Sequence, residues 1–138
     1  MCGVNLMATL PFATVSTEAE LNQDLAAIAG TSGNYVITIG SGFTLNTDML
    51  ALNITGGSLT LLGGGATIDG GGTYRGFFDY SGALILNDLT IANAVAQGGN
   101  GGNSPTNGNG AGGGGAGLGG GLFVAAAGNT TLNNVTFL

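Results

Sequence analysis

Histidine, tryptophan and lysine are missing from this chain, arginine occurs once, at Arg75, and cysteine once, at Cys2. Without His or Lys there is no Ser/His/Asp or Cys/His triad, no phosphate-loop lysine, no Schiff base and no imidazole ligand for a metal. One basic residue against seven acidic ones leaves a formal net charge of −6. Such a chain cannot release the counterions that nucleic-acid binding requires, and anionic lipid repels it. A lone Cys forms no internal disulfide and reports nothing about the redox compartment. No apolar run approaches the roughly 20 residues of a membrane-spanning helix. Residues 1–15 are mildly apolar but have no Lys or Arg ahead of them and no cleavage site, so they read as a leader or disordered segment with no visible signal peptide. Met7 is a second candidate start. Proline occurs twice, and the 30 glycines among 138 residues lack a third-residue period, which excludes collagen.

What remains is 43% hydrophobic, enough for the core of one domain. Thr17-Glu18-Ala19-Glu20 has the form of a capping box, in which Thr17 accepts from the first free amides and Glu20 reaches back to the cap. Leu21, Leu25 and Ile28 follow at i, i+4 and i+7, and Gly30 supplies a left-handed stop. Residues 16–30 are therefore expected to form a short amphipathic capping helix.

After Gly30 the period changes from 3.6 to 2. Tyr35, Ile37 and Ile39 alternate with Val36 and Thr38, and the pairs Leu59/Leu61, Leu84/Leu86, Leu89/Ile91 and Val135/Phe137 each flank one residue. Glycine clusters and Asn87-Asp88 separate these very short strands. An all-β chain is implied, and an internal repeat selects its architecture. Leu86-Asn87-Asp88-Leu89-Thr90-Ile91 and Leu132-Asn133-Asn134-Val135-Thr136-Phe137 share one pattern, with a weaker copy at Leu59-Thr60-Leu61 and Ala66-Thr67-Ile68. Leu61, Leu86 and Leu132 mark spacings that suit a right-handed parallel β-helix, a solenoid with coils of roughly 20 to 25 residues, the second gap holding an insertion. Leu86 and Leu132 are expected to face its bore, with Asn and Thr ladders outside. The coils occupy residues 31–138, with a Gly-rich insertion at 98–121 that reads as a mobile loop. The pattern runs to Leu138 in mid-strand, so the chain reads as a piece of something longer, with an open end suited to end-to-end self-association.

The capping helix, the stretch Leu59 to Gly72, Tyr74-Arg75-Gly76-Phe77-Phe78 and Gly112 to Val124 together resemble the N-terminal part of the passenger region of bacterial autotransporters, the pectate-lyase-like right-handed β-helix class. The resemblance spans Ser16 to Phe137 and is most specific at Ile68-Asp69-Gly70-Gly71 and Leu89-Thr90-Ile91. It implies a non-enzymatic stalk or adhesin, at the cell surface or secreted, that meets host-cell or polysaccharide ligands and is held at the outer membrane only through a C-terminal barrel outside this chain.

A polysaccharide-degrading β-helix enzyme, of pectate lyase or glycoside hydrolase type, is the alternative. It would need Asp69, Asp79 and Asp88 to converge, and Asp69 and Asp88 lie nineteen apart, a spacing that could place them on adjacent coils. Such enzymes also need basic residues, and this chain has only Arg75, so the expectation is no catalytic residue and Asp side chains bonded to nearby amides at turns. No metal and no cofactor are expected. The calcium roll fails in its one copy, Gly64-Gly65-Ala66-Thr67-Ile68-Asp69, and the Gly-x-Gly-x-x-Gly match at residues 108–113 has no strand leading into it. Around Arg75 two readings stand. Tyr74, Arg75 and Tyr80 would make a sugar-stacking patch, or Phe77 or Phe78 fills the bore with Arg75 paired to Asp79 or Asp69, and the second is favoured because aromatic residues are ordinary strand formers. Ice binding would need a regular Thr-x-Thr ladder, whereas Thr60, Thr67, Thr90 and Thr136 stand singly. Asn53, Asn129 and Asn134 match the glycosylation sequon, which matters only in a eukaryotic source.

Overall fold

The helix folds as the residues around Thr17 dictate. In the computed structural model, which describes residues 8–100 and 117–138, helix α1 spans Glu18–Ile28 behind an extended Thr17, whose hydroxyl accepts the Glu20 N–H. The Glu20 carboxylate closes the box on the Thr17 N–H. Leu21, Leu25 and Ile28 are buried, and Gly30 follows with φ +74°. The α1 carboxylates Glu18 and Asp24 are buried as well. Glu18 accepts from the Asn46 and Thr47 N–H groups and the Thr47 hydroxyl, and Asp24 accepts from the Phe12 N–H at 2.8 Å. These bonds tie the helix to the segments on either side of it.

The strands are β1 (Thr14–Val15), β2 (Ser32–Ile39), β3 (Phe43–Thr44), β4 (Leu52–Asp69), β5 (Phe77–Ala92) and β6 (Leu122–Phe137). They form one six-stranded sheet of order β1-β2-β4-β5-β6, with β3 also on β4, and every pairing is parallel. Hairpins cannot join parallel neighbours, so each connection must carry the chain back to the starting end. Pairing is periodic in sequence: Ile37 lies beside Leu61, Leu61 beside Leu86, and Leu86 beside Leu132.

The long strands correct the expectation of very short ones. β4 runs for 18 residues and β5 and β6 for 16 each, because inter-strand bonding continues through the bends. Asp88 and Asn134 bend β5 and β6 with φ near +50°, a conformation that Asn and Asp tolerate better than other side chains. β4 meets β5 in stretches separated by register shifts at Asn53/Ser58 and Leu62/Ala66.

The large buried apolar side chains of α1 and of strands β1, β2, β4 and β5 belong to a single cluster, with Leu45 and Met49 from the connection between β3 and β4. Ile37, Leu61 and Leu86 are wholly buried, each over its neighbour. Leu132 sits in the same register row but is 42% exposed, a departure from its expected burial that follows from β6 being the last strand in the sheet order. Outside, Asn133 donates to Asn87 and Asn134 to Asp88, both at 2.7 Å, as the ladder expectation requires. Thr67, Thr90 and Thr136 stand in one row on adjacent strands rather than singly, but two residues on the register pairs Asp69 with Ala92, not a second Thr row. The Gly-rich insertion falls largely on residues 101–116, and the Gly-x-Gly-x-x-Gly match wholly, outside the described residues.

Candidate functional site

The turn between β4 and β5 is built by local bonds. Asp69 accepts the Gly71 N–H, and the Thr73 and Tyr74 N–H groups both donate to the Gly70 carbonyl, with Gly71 and Gly72 at positive φ. Two longer bonds fix the exit: the Arg75 N–H donates to Asp48 at 2.9 Å, and the Gly76 N–H to the Gly120 carbonyl at 2.8 Å. Period-2 alternation then decides which way each ring points. Phe77 is 5% exposed in the core, so Phe78 faces outward, where its ring meets that of its register partner Phe123 edge-on at 5.1 Å.

Arg75 lies over the Phe78 ring, its guanidinium carbon 5.1 Å from the centroid. This corrects the expected ion pair with Asp79 or Asp69. Asp79 is wholly buried and faces the core two residues after Phe77, and Asp69 is occupied by Gly71 and Asn93. The Arg75 Nε is buried without a hydrogen-bond partner. Tyr80 meets the Phe78 ring edge-on at 6.1 Å and is 53% exposed, so the less favoured alternative, a Tyr74, Arg75 and Tyr80 patch, gives way to a different grouping.

That grouping is a cleft of about 510 Å³. Arg75, Phe78 and Phe123 line it together with Asp48, Thr73, Val95, Gln97 and Leu118. The Val95 N–H donates to the Tyr74 carbonyl, which holds the segment after β5 against the turn. Sequence reasoning found Tyr74, Arg75 and Phe78 but missed Asp48, Gln97 and Phe123. A signal for Phe123 was present, since Gly76-Phe77-Phe78 and Gly121-Leu122-Phe123 are register copies of one pattern. Asp48 and Gln97 have no comparable signal.

The three Asp residues of the enzyme reading are kept apart. Asp69 lies beside Ala92 in the register, not beside Asp88, because the local offset between the strands is 23 residues rather than nineteen. Asp88 accepts from Asn134, and Asp79 accepts from the Thr130 hydroxyl at 2.7 Å while its other oxygen has no partner. Burial raises the Asp79 carboxyl above the usual carboxylate range, against the hydrogen bonds from Thr130 and the Asn129 backbone. Burial likewise raises Asp24, with the Phe12 N–H opposing it and the nearby Glu20 charge adding to it. Among the described residues no three Asp, Glu, Cys or His side chains come together in a way that could hold a metal ion. Comparisons of the chain with protein-family models, with curated proteins and with solved structures found no match.

Proposed function

We propose that the parallel sheet is wound as a right-handed β-helix and that the chain serves as a non-enzymatic stalk or adhesin of an autotransporter-like protein, displayed at the cell surface. The observation that carries this reading is the in-register row Ile37, Leu61, Leu86 and Leu132, one residue per successive strand, in a sheet whose every pairing is parallel. Winding explains how one sheet can send residues from several stretches of β4 and β5 into one cluster. The helix then covers the first turn of the winding, where apolar side chains would otherwise meet water.

The non-enzymatic part rests on the occupation of the carboxylates. Asp69, Asp79 and Asp88 each accept a hydrogen bond from the framework, and they do so on separate parts of it. A rigid stack of this kind suits display better than chemistry, because its side-chain rows present fixed spacings along a surface.

The test is display. The chain fused to an autotransporter barrel should become accessible to added protease on intact bacteria and should make them adhere to cultured cells or to polysaccharide-coated surfaces above a barrel-only control. Protease accessibility without any gain in adherence would leave a stalk and remove the adhesin. Turnover of a pectic polysaccharide by the purified chain would favour the enzyme instead.

A further inference from the structure

We propose that the cleft at Arg75 is a binding site for a saccharide carrying a single carboxylate, of the uronic-acid type. The inference deepens the adhesin reading and rests on it. Arg75 is the one basic residue of the chain, in a molecule of net charge −6, and no carboxylate among the described residues forms an ion pair with it. Its guanidinium carbon lies over the Phe78 ring, 5.1 Å from the centroid, and its buried Nε has no acceptor. Among the described residues no side-chain hydrogen bond engages the terminal guanidinium nitrogens, and a carboxylate is the acceptor that matches them, taking two parallel N–H bonds.

The surroundings favour a sugar as the bearer of that carboxylate. The rings of Tyr74, Phe78 and Phe123 offer apolar surface for the C–H face of a pyranose. Asp48, Thr73 and Gln97 place acceptors and donors around it for hydroxyl groups. The volume of about 510 Å³ falls within the roughly 300–1,000 Å³ of small-molecule sites. One guanidinium matches one carboxylate, and the net negative charge of the protein repels polyanions, so a monovalent acidic sugar fits better than a sulfated chain.

Ligand-observed NMR with the full chain tests this, using glucuronate, glucose and N-acetylglycine as probes. Glucuronate should bind about tenfold more tightly than either of the other two, since each lacks one half of the recognition. Arg75→Gln should weaken glucuronate at least about tenfold and leave glucose unchanged, and Arg75→Lys should recover only part of the loss. Leu118→Trp, which narrows the cleft from an exposed position and leaves Arg75 in place, should weaken glucuronate too, so the test survives if the Arg75 variants fold poorly. Equal binding of glucuronate and glucose, equal binding of N-acetylglycine, or no binding of glucuronate by the folded chain overturns the proposal. Adherence of displaying bacteria that persists in Arg75→Gln and in excess glucuronate also overturns it as the adhesive site, yet leaves the adhesin standing. Failure of display or adherence with glucuronate still bound in solution would strike the adhesin alone.

Discussion

Asp79 shows how much one side chain can cost inside this sheet. Its carboxylate is wholly buried, one oxygen accepts from Thr130, and Gly128 lets β6 approach it so closely that a Cβ there would press on the Asp79 carbonyl and carboxyl carbon. With its folded-state value raised above the ordinary 3.8, the native chain binds more protons than the unfolded one as pH falls toward 3.8. Asp24 acts in the same direction. Their contribution is complete below 3.8 and is lost as pH rises through the raised values, so urea melts should show the chain more stable near pH 4.5 than at pH 7. Thr130→Val removes the side-chain donor without changing shape, and should cost about 2 kcal/mol at pH 7 and distinctly less near pH 4. Equal losses at both pH values would show that Asp79 is already neutral at pH 7. Gly82 sets a second residue-scale limit, with φ +107° and an added Cβ that would overlap the Ile54 side chain. Gly82→Ala should lose about 3 kcal/mol in the same melts through strain and overpacking together. Neither position was legible beforehand as critical. Asp79 follows Phe77 by two, so the period places it inside, but only the fold shows that its partner is Thr130, 51 residues on.

At the scale of elements, legibility tracked the range of the interactions that make each one. Helix α1 was readable because its capping box and its stripe of Leu21, Leu25 and Ile28 act within a few residues. Thr17→Ala should accordingly cost about 1 kcal/mol in thermal or urea unfolding, and a loss below about 0.3 kcal/mol would mean that Glu18 and Asp24 hold the helix without its cap. The parallel rows were readable because stacking places like residues over like, which leaves the Leu-Asn-(Asp/Asn)-apolar-Thr-apolar copies in the sequence. Strand β1 left no such mark, since two residues cannot show a period. The continuous length of β4 to β6 was also hidden, because a left-handed residue such as Asp88 looks like a strand end in sequence while the bonding on either side continues. The cleft was half legible: Arg75 and the aromatic run announced themselves, whereas Asp48 and Gln97 arrive by long connections that carry no pattern.

For the whole 138-residue molecule the two sides of the sheet differ in protection. On the β1 side, α1 packs against β1 and β4 and places buried side chains over the core. On the β6 side, β6 is last in the sheet order, contains no charged residue, and exposes Val124, Leu132 and Phe137 at 41%, 42% and 45%. A strand of that kind offers unpaired backbone groups and apolar surface to another chain, and the charge of −6 is the main force that opposes the approach. Because the helix blocks the opposite side, two copies would meet β6 to β6 about a two-fold axis, which closes the assembly at a dimer instead of an open filament. Salt screens the repulsion over roughly 10 Å at 0.1 M and over about 3 Å at 1 M, so light scattering of the isolated chain should report a rising share of dimer as sodium chloride increases. Leu132→Lys places a charge among the exposed apolar side chains of β6 and should hold the molecule monomeric at the same salt with little loss of stability, since Leu132 is only half-buried. Masses growing well beyond a dimer would mean that α1 does not protect its side, and a monomer at every salt concentration would mean that the β6 edge is already covered.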